Sequence, residues 1–199
     1  MSEAGRVIAG TARGLRLLAP GEGTRPLADR VKQTLFAILE PDLPGARVLD
    51  LYAGSGAGGI EALSRGAAEA IFVERDSAAV ATIKANLERT RLAAPAEVIR
   101  GDAIAYLAGR AMQAGPFDLV LIDPPYVDTA GLEAALARLS EPGLLSPQAW
   151  VVAKHFWRSA PPERVGLLAS VRTRRFGETA LTFYRLAATQ EAATQEAAT

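Results

Sequence analysis

The sequence contains no cysteine and only one histidine, His155. Disulfide bonds and thiolate metal sites are therefore excluded, and a multi-histidine metal site is impossible, although a metal held by carboxylates alone stays conceivable. No apolar run reaches the roughly 18 residues that a membrane-spanning helix requires, and no charged and then apolar leader opens the chain. We therefore expect a cytoplasmic protein that has no resident metal and does not bind membranes.

The net charge is zero, because 22 basic residues balance 22 acidic ones, but the two kinds of residue are unevenly distributed along the chain. Residues 1–40 carry six Lys or Arg against four Asp or Glu, and residues 154–186 carry seven against two. Residues 41–153 carry nine basic against fourteen acidic residues. If the two basic ends meet in space, they form a positive rim around an acidic centre, as a polyanion-binding enzyme requires. The alternative is a set of ordinary solvated arginines.

With 199 residues, 49% of them apolar, the chain is long enough for one well-buried domain with a small appendage. We place the appendage at residues 1–40, the main domain at residues 41–186 and a tail at residues 187–199. The tail repeats Ala-Ala-Thr-Gln-Glu, a low-complexity sequence that is typical of a disordered or loosely helical segment. We assign no site to it.

The first forty residues contain the sequence signals of a hairpin and of a helix. Two short apolar runs flank residues 10–14, which contain two glycines, and this pattern predicts a hairpin. Asp29 is predicted to cap the start of a helix, because apolar residues follow it at helical spacing as far as Leu39. The sequence thus predicts a small N-terminal extension made of a hairpin and a helix.

From residue 46 onward, short apolar runs alternate with helical patterns. The predicted strands are residues 47–52, 70–74, 96–102, 118–122 and 150–153, and the predicted helices run through residue 64 and over 78–92, 103–112 and 129–139. This alternation predicts an α/β fold with a doubly wound, mostly parallel sheet that helices cover on both faces. Two further runs, 167–175 and 179–186, predict an antiparallel hairpin at the sheet edge.

Acidic residues and glycines lie at or just beyond the ends of the first four predicted strands. They are Asp50, Gly54, Gly56, Glu74, Asp102 and Asp123. Ligands of open parallel sheets bind at the carboxyl ends of the strands, so these residues are predicted to converge although they are far apart in sequence. The sequence therefore predicts one ligand-binding crevice along this edge.

The loop at residues 53–59 is rich in glycine, which lets the backbone turn sharply and approach a ligand closely. It matches the dinucleotide fingerprint G-x-G-x-x-G, so an NAD-dependent oxidoreductase has to be considered. Asp50 argues against a pyrophosphate, because its carboxylate would repel phosphates but pair with the cationic amine of an amino acid. S-adenosylmethionine offers that amine, a ribose for Glu74 and an adenine amino group for Asp102. We therefore favour S-adenosylmethionine as the cofactor.

The fourth predicted strand stops at Asp123-Pro124-Pro125-Tyr126. Neither proline can donate a backbone hydrogen bond, so the strand ends there and presents a carboxylate, carbonyl groups and an aromatic ring. A planar base with an exocyclic amino group fits these groups, because the acceptors hold its N–H bonds while Tyr126 lies against the ring. We predict that these four residues form the catalytic motif. The alternative is a simple turn.

Arginines in the two basic ends are the candidates for binding the phosphates of a nucleic acid. They are Arg6, Arg13 and Arg16 in the first predicted hairpin, and Arg172, Arg174 and Arg175 in the last one. His155 follows the fifth predicted strand, where a lone histidine is more often structural than catalytic.

Four segments together resemble one known family. They are the loop from Asp50 to Gly56, the run Gly59-Ile-Glu-Ala-Leu-Ser-Arg-Gly-Ala67, the Asp123 to Tyr126 motif, and the opening Arg25-Pro, Asp29-Arg-Val and Leu35-Phe36. They resemble the RsmD family of bacterial methyltransferases, which modify N2 of one guanine in 16S ribosomal RNA. The resemblance covers roughly residues 6–186. Its specificity rests on the Glu61 to Ala67 run and the opening segment, because the other two motifs occur in many class I methyltransferases.

The resemblance implies a Rossmann-like class I methyltransferase fold with a seven-stranded sheet, and S-adenosylmethionine as the methyl donor. It implies 16S rRNA, in the small ribosomal subunit or its assembly intermediate, as the partner. We expect a monomer. The catalytic residues that it implies are Asp123, Pro124, Pro125 and Tyr126, and the cofactor-binding residues are Asp50, Ala53, Gly54, Gly56, Glu74, Arg75, Asp102, Ala103 and Asp123.

Two positions depart from the family pattern. Gly58-Gly59 replaces a bulkier residue, which we expect to loosen the helix start, and Lys154 stands where the family tends to have an acid. Three other functions stay open. They are a DNA adenine-N6 or cytosine-N4 methyltransferase, a glutamine-amide methyltransferase and a non-catalytic ribosome-assembly module. The arginine-rich ends disfavour the second, and the intact Asp50, Glu74 and Asp123 disfavour the third.

Overall fold

The computed structural model of the protein describes residues 3–21 and 29–187. The chain divides into two compact units, Met1–Ala103 and Ile104–Thr199. The predicted tail, apart from Ala187, and the Arg25-Pro pair of the opening segment lie outside the described residues. No described helix has the length and apolar content needed to span a bilayer. The domain boundaries at residues 40 and 186 stay predictions.

The first unit opens with the predicted hairpin, which consists of the antiparallel strands β1 (Glu3–Arg6) and β2 (Arg16–Leu18). Helix α1 (Asp29–Leu39) has Asp29 as its first residue rather than as the cap before it that the sequence predicted, and a 3₁₀ turn (Glu40–Asp42) follows it. The apolar residues of α1 at helical spacing are buried, which is the arrangement expected of an amphipathic helix.

Three parallel strands and two helices form the centre of the first unit. In chain order they are β3 (Arg47–Leu51), α2 (Ala57–Ser64), β4 (Glu69–Glu74), α3 (Ser77–Thr90) and β5 (Ala96–Arg100). The strands lie in the order β5, β4, β3 and pair in parallel. Four consecutive residues are buried in β3 and four in β4, so both faces of these strands are covered. Their carboxyl ends meet at one edge, as the sequence predicted.

Buried polar side chains of α2 hold the N-terminal hairpin. Glu61 accepts hydrogen bonds from the backbone N–H of Ile8 at 2.7 Å and of Ala9 at 3.0 Å. The Ser64 hydroxyl donates to the carbonyl of Ala9 at 2.6 Å and accepts from the N–H of Ala12 at 2.9 Å. Both side chains are almost fully buried, which shields these hydrogen bonds from water. The extension is therefore part of the folded first unit rather than a loosely attached arm.

The helix predicted over residues 103–112 is divided in the structure. Helix α4 covers Ala103–Ala108 and helix α5 covers Ala111–Ala114. Gly109 lies between them, and its N–H donates to the carbonyl of Tyr106 at 3.2 Å in a closing turn. A glycine inside a helix costs about 1 kcal/mol relative to alanine, which explains why the chain leaves the helix there.

The second unit contains a sheet of mixed strand direction. Its further elements are β6 (Phe117–Ile122), α6 (Thr129–Leu139), β7 (Leu145–Phe156), β8 (Arg164–Val165), β9 (Leu168–Phe176) and β10 (Thr179–Leu186). The strands lie in the order β6, β7, β10, β9, β8. Strands β6 and β7 are parallel, and the other neighbours are antiparallel. The predicted C-terminal hairpin is confirmed as β9 and β10, which turn at Gly177.

Strand β7 is much longer than the predicted residues 150–153. The first half of β7 was not predicted, because Ser146, Pro147 and Gln148 interrupt the apolar pattern of the strand. The pairing with β6 shifts register in this region, and such an irregularity accommodates residues that do not fit the ladder. The two-residue strand β8 was not predicted, because two residues carry no readable periodicity. The extension of β7 to Phe156 places its last residues at the edge where β6 ends.

Candidate functional site

The glycine loop between β3 and α2 contains three residues in the left-handed backbone region. Tyr52 has a φ of 58°, Gly54 of 56° and Gly56 of 76°. This conformation costs a residue other than glycine about 1–3 kcal/mol, and such strain is concentrated at ligand-binding and catalytic sites. The two glycines therefore serve the predicted purpose of turning the backbone sharply, while Tyr52 is a strained position that the sequence did not reveal.

Glu74, at the end of β4, is held in place by backbone donors from the loop. Its Oε2 accepts from the N–H of Gly54 at 2.9 Å, and its Oε1 accepts from the N–H of Asp76 at 2.9 Å. Each carboxylate oxygen has a second lone pair with which it can accept from a ligand hydroxyl. The geometry fits the role of a ribose acceptor beside the glycine loop, and that role stays a prediction.

Asp50 is 4% exposed and is bound to the start of α2. Its Oδ2 accepts from the N–H of Gly59 at 2.8 Å, which satisfies one of the free donors at a helix N-terminus. A Cβ on Gly59 would lie 2.4 Å from Cε1 of Phe72, so this close contact between helix and strand requires glycine. Gly59 therefore tightens the helix start, in contrast to the loosening that we expected. The pairing of Asp50 with a cofactor amine stays a prediction.

Asn86, a buried residue of α3, connects the glycine loop to the N-terminal hairpin. Its Nδ2 donates to the carbonyl of Ser55 at 2.9 Å and to that of Leu18 at 3.0 Å. Its Oδ1 accepts from the N–H of Leu18 at 2.8 Å. One side chain thus satisfies three backbone groups from two segments. Sequence reasoning missed Asn86, because one polar residue in a helical pattern carries no sign that it is buried.

Asp102, Ala103 and Arg75 complete the predicted cofactor residues of the first unit. The N–H of Gly101 donates to the carbonyl of Glu74 at 3.0 Å, which brings Asp102 to the edge where Glu74 lies. Asp102 and Arg75 are exposed, whereas Ala103 is buried. The structure thus brings the glycine loop, Glu74 and Asp102 together at the carboxyl ends of β3, β4 and β5. The individual contacts to a cofactor, and the convergence of Asp123 with this group, stay predictions.

The predicted catalytic motif follows β6 directly. Pro124 is buried and Pro125 is exposed. The carbonyl of Pro125 accepts from the N–H of Asp128 at 2.8 Å, and Asp128 in turn caps helix α6 by accepting from the N–H of Gly131 at 2.9 Å. Among the described residues, no donor binds the carbonyl of Pro124. This carbonyl and the carboxylate of Asp123 are therefore the acceptors of the motif that a ligand can use.

Asp123 forms an ion pair with Lys154 of β7, with 2.5 Å between Oδ1 and Nζ. The side chains are 32% and 13% exposed, so the pair is half-buried. Desolvation raises the pKa of Asp123 above its ordinary value, and the neighbouring Lys154 ammonium opposes that rise. Sequence reasoning noted Lys154 only as a departure from a family pattern. The pairing of β6 with β7 is what places it beside Asp123.

The ring of Tyr126 is held on several sides. Its hydroxyl shares a 2.5 Å hydrogen bond with Oγ1 of Thr179 at the start of β10. The Nζ of Lys154 lies 5.4 Å from the ring centroid, within the range of a cation–π interaction. The ring of Phe156 lies 6.2 Å away, tilted by 48°. Tyr126 is therefore oriented before any base binds.

His155 is buried, and its ring contacts the protein interior. Nδ1 donates to the carbonyl of Phe156 at 2.9 Å, so in the neutral ring Nε2 accepts from the hydroxyl of Thr182, also at 2.9 Å. Burial lowers the pKa of His155, which favours this neutral form. These contacts agree with the structural role that the sequence favoured.

The N-terminal arginines that we predicted to bind RNA are all exposed. Arg6 forms an ion pair with Asp29 at 3.2 Å, and Arg16 forms one with Glu3 at 2.5 Å. Exposed ion pairs contribute only about 0–1 kcal/mol, so neither pair prevents these arginines from contacting a phosphate. Among the described residues, Arg13 has no ion-pair partner.

The three C-terminal arginines are exposed on β9 but do not share one face of the sheet. The register places Arg172 and Arg174 on the face that carries Lys154, because Arg174 is opposite Leu181, which in turn is opposite Lys154. Arg175 lies on the other face, with its side chain toward the end of β7. Sequence reasoning treated the three as one cluster, since a charge run does not reveal strand register. RNA binding by any of them stays a prediction.

Within residues 3–21 and 29–187, no group of three or more His, Asp or Glu side chains is arranged to hold a metal ion.

Comparisons with known proteins agree with the motifs that the site contains. A family model described as conserved hypothetical protein 95 matches residues 5–185. Ribosomal RNA small subunit methyltransferase D of Escherichia coli strain K12 is 40% identical over 147 residues, which cover 73% of this chain and 72% of that protein. YlbH of Bacillus subtilis strain 168, described as a candidate rRNA methyltransferase, is 40% identical over 181 residues, or 90% of this chain and 98% of that protein.

A solved structure also resembles this chain along nearly its whole length. The yhhF protein of Escherichia coli, described as a candidate methyltransferase, matches with a TM-score of 0.82 at 34% identity. The match covers 94% of this chain and 99% of that one. It confirms the predicted α/β fold of the class I methyltransferase type.

Proposed function

The chain belongs to the RsmD family of methyltransferases, and on this basis we propose that it transfers a methyl group from S-adenosylmethionine to the exocyclic N2 amine of a guanine in 16S rRNA. The two relatives described above are named as rRNA methyltransferases, which supports rRNA as the acceptor. The choice of guanine N2, and of an assembled or partly assembled small subunit as the substrate, is part of the proposal.

The observation that carries the proposal is the acceptor pair at the end of β6. The carboxylate of Asp123 and the carbonyl of Pro124 can each accept one N–H bond of a planar amine. The ring of Tyr126 is already fixed by Thr179, so it offers a stacking surface at no further cost in side-chain freedom. Stacking of one base on an aromatic ring contributes about 1–3 kcal/mol.

The residues of the first unit support S-adenosylmethionine as the methyl donor. Glu74 lies beside the glycine loop and keeps lone pairs that can accept from a ligand hydroxyl, and Asp50 is a buried carboxylate that suits a cationic amine. When bound, S-adenosylmethionine supplies an electrophilic methyl group on a sulfonium. The chain itself has to orient the nucleophile, which is the task of the second unit.

The chemistry explains why the motif consists of acceptors. The lone pair of an exocyclic guanine amine is delocalised into the ring, which makes the nitrogen a poor nucleophile. Hydrogen bonds to Asp123 and to the Pro124 carbonyl draw the amine toward tetrahedral geometry and localise that lone pair. The carboxylate would also compensate the positive charge that develops on nitrogen when the methyl group is transferred, and the methylated nitrogen would then release one of its protons to water. The rate enhancement then comes from positioning and electrostatics, without a covalent enzyme intermediate.

The deciding experiment is methyl transfer from labelled S-adenosylmethionine to small subunits from a strain that lacks this gene, followed by nucleoside analysis. We expect label in N2-methylguanosine. Naked rRNA and genomic DNA are assayed in parallel to compare acceptors. Label in a methylated adenine or cytosine of DNA would contradict the proposed substrate while keeping the methyltransferase activity.

The variant Asp123→Ala, measured in the same assay, tests the role of the catalytic motif. We expect methylation to fall by at least about a hundredfold, the size of the loss when one transition-state hydrogen bond is removed, because an acceptor of the amine is missing. Cofactor affinity, measured by calorimetry, should change little, because Asp123 is only one of the nine residues assigned to the cofactor and its main role is assigned to the amine. A variant with near-normal activity would overturn the role that we assign to Asp123, and a wild-type protein that binds no S-adenosylmethionine would favour a non-catalytic module.

A further inference from the structure

Three aromatic rings neighbour one another in turn, from Tyr126 of the catalytic motif through Phe156 to Trp157, the residue after β7. The ring centroids of Tyr126 and Phe156 are 6.2 Å apart, and those of Phe156 and Trp157 are 6.3 Å apart. Phe156 ends β7, which runs parallel to β6, so it lies at the same sheet edge as Asp123. Trp157 is therefore at most about 12.5 Å from Tyr126, the sum of the two centroid distances.

Two arginines lie over the ring of Trp157. The Cζ of Arg175 is 3.6 Å from a centroid of the indole, and that of Arg158 is 4.8 Å away. Both arginines are exposed, and among the described residues neither forms an ion pair with a carboxylate. Two positive charges thus lie against one indole ring, and among the described residues they are not neutralised by acidic side chains.

The contact with the indole restricts how these guanidinium groups can meet an anion. A guanidinium stacks through its flat face, which leaves the N–H donors in its plane directed outward, where they match a phosphate in a bidentate geometry. The Nε of Arg175 also donates to the carbonyl of Gly177 at 2.9 Å, so its Nη groups are the ones left for a ligand. Because the side chain is ordered before binding, less entropy is lost when an anion binds.

Backbone contacts connect the Trp157 group to the catalytic motif. The N–H of Trp157 donates to the carbonyl of Glu178 at 3.0 Å, in the turn between β9 and β10. The next residue, Thr179, is paired with Phe156 in the sheet and binds the hydroxyl of Tyr126. These contacts connect the turn that carries Arg175 to the residue that binds Tyr126.

We propose that Arg158 and Arg175, stacked on Trp157, bind an RNA backbone phosphate that lies close to the target nucleotide. This inference rests on the proposed function. A base that stacks on Tyr126 stays attached to its own strand, so phosphates of that strand have to pass within a short distance of the ring. Residues 154–186 also carry seven basic against two acidic residues, which favours a polyanion.

The test compares two double variants that remove the same charge. Arg158→Gln with Arg175→Gln removes the phosphate-binding pair, whereas Arg138→Gln with Arg164→Gln removes two exposed arginines elsewhere in the second unit. Binding to unmethylated small subunits is measured over a range of salt concentrations, and methylation is measured on the same preparations. For the first variant we expect about tenfold weaker binding and a salt slope reduced by about 0.7–0.9, the value of one phosphate contact. The affinity for S-adenosylmethionine should stay unchanged.

Trp157 supplies a second test, because it acts by positioning the arginines. Trp157→Leu should weaken binding of the particle about as much as the double arginine variant does, while Trp157→Phe, which keeps an aromatic face, should restore most of the affinity. Thermal unfolding of both Trp157 variants shows whether each protein is folded. Equal binding by the folded Leu and Phe variants would contradict the positioning role.

The possible outcomes separate the two proposals. Equal affinity and equal salt slope for the two double variants would overturn the phosphate site and leave the methyltransferase function intact. Weaker binding by the Arg158 and Arg175 variant, combined with no methylation by the wild type, would support the site and overturn the function. A wild-type protein that does not bind the particle at all would overturn both.

Discussion

At the scale of single residues, the ion pair between Asp123 and Lys154 controls the charge of the proposed amine acceptor. Only the ionised carboxylate is purely an acceptor, because a protonated one donates through its own hydrogen. Desolvation raises the pKa of Asp123, and the ammonium at 2.5 Å opposes this rise. Lys154 therefore keeps Asp123 ionised at a lower pH than its half-buried environment alone would allow.

This pair leads to a prediction on pH dependence. The methylation rate of the wild type should fall on the acid side as Asp123 becomes protonated, at a pH above the ordinary range for an aspartate. Lys154→Met removes the group that lowers the pKa, so the pKa of Asp123 rises further and the acid limb of the rate profile moves to higher pH. The profile of kcat against pH, measured at saturating substrate, reports this shift.

Lys84→Met is the control, because Lys84 is an exposed lysine of α3 in the first unit. The acid limb of the kcat–pH profile of Lys84→Met should coincide with that of the wild type. If the Lys154 variant also keeps the wild-type profile, the ionisation of Asp123 does not limit the rate.

At the scale of elements, the first unit depends on polar contacts between α2 and the N-terminal hairpin. Glu61 is fully buried and accepts from two backbone N–H groups of the hairpin and from Nε of Arg65 at 2.8 Å. Ser64 and Asn86 bind other parts of the same segment. The Glu61 to Ala67 run, which gave the family resemblance its specificity, thus includes residues that attach the extension to the fold.

Glu61→Ala should therefore destabilise the protein by about 3 kcal/mol. The substitution leaves two buried N–H donors and the guanidinium of Arg65 without their acceptor, and an unsatisfied buried donor costs about 1–3 kcal/mol. Urea denaturation measures the loss, with Glu88→Ala on the exposed side of α3 as the control, which should stay within about 0.5 kcal/mol of the wild type. A loss as small as that of the control would mean that the hairpin does not depend on this contact.

At the scale of the whole molecule, the balanced net charge conceals two basic ends. Both ends carry exposed arginines, and a polyanion substrate would release counterions from its phosphates when these arginines bind them. The prediction that arginines of both ends bind phosphates requires both ends to contribute to RNA binding, although the two ends are separated by most of the chain.

Neutralising one arginine at each end tests this requirement. Arg13→Gln combined with Arg172→Gln should flatten the dependence of RNA binding on salt, reducing the slope by about 1.4–1.8 if each arginine contacts one phosphate. A variant with Lys84→Gln and Arg138→Gln has the same net charge and should keep the wild-type slope. An unchanged slope in the first variant would place the RNA on another surface.

The local sequence was enough to predict the order of strands and helices and the position of two site motifs. Apolar periodicity predicted the strand and helix order, because burial on both faces of a parallel sheet leaves continuous apolar runs. The glycine loop and the Asp-Pro-Pro-Tyr motif were readable because left-handed turns and strand ends limit which residues fit. Misplaced boundaries occurred where local signals were weak, as in the polar first half of β7 and the divided helix at Gly109.

The tertiary structure alone decided which polar residues have partners. Lys154 acts on Asp123 because β7 pairs with β6, and Arg175 stacks on Trp157 because the β9 to β10 turn returns it to the end of β7. Asn86 joins the glycine loop to a hairpin 68 residues away in sequence. Such contacts depend on the strand register and on the packing between segments that are distant in sequence. Composition and periodicity show only which face of a segment is exposed to water and which is buried.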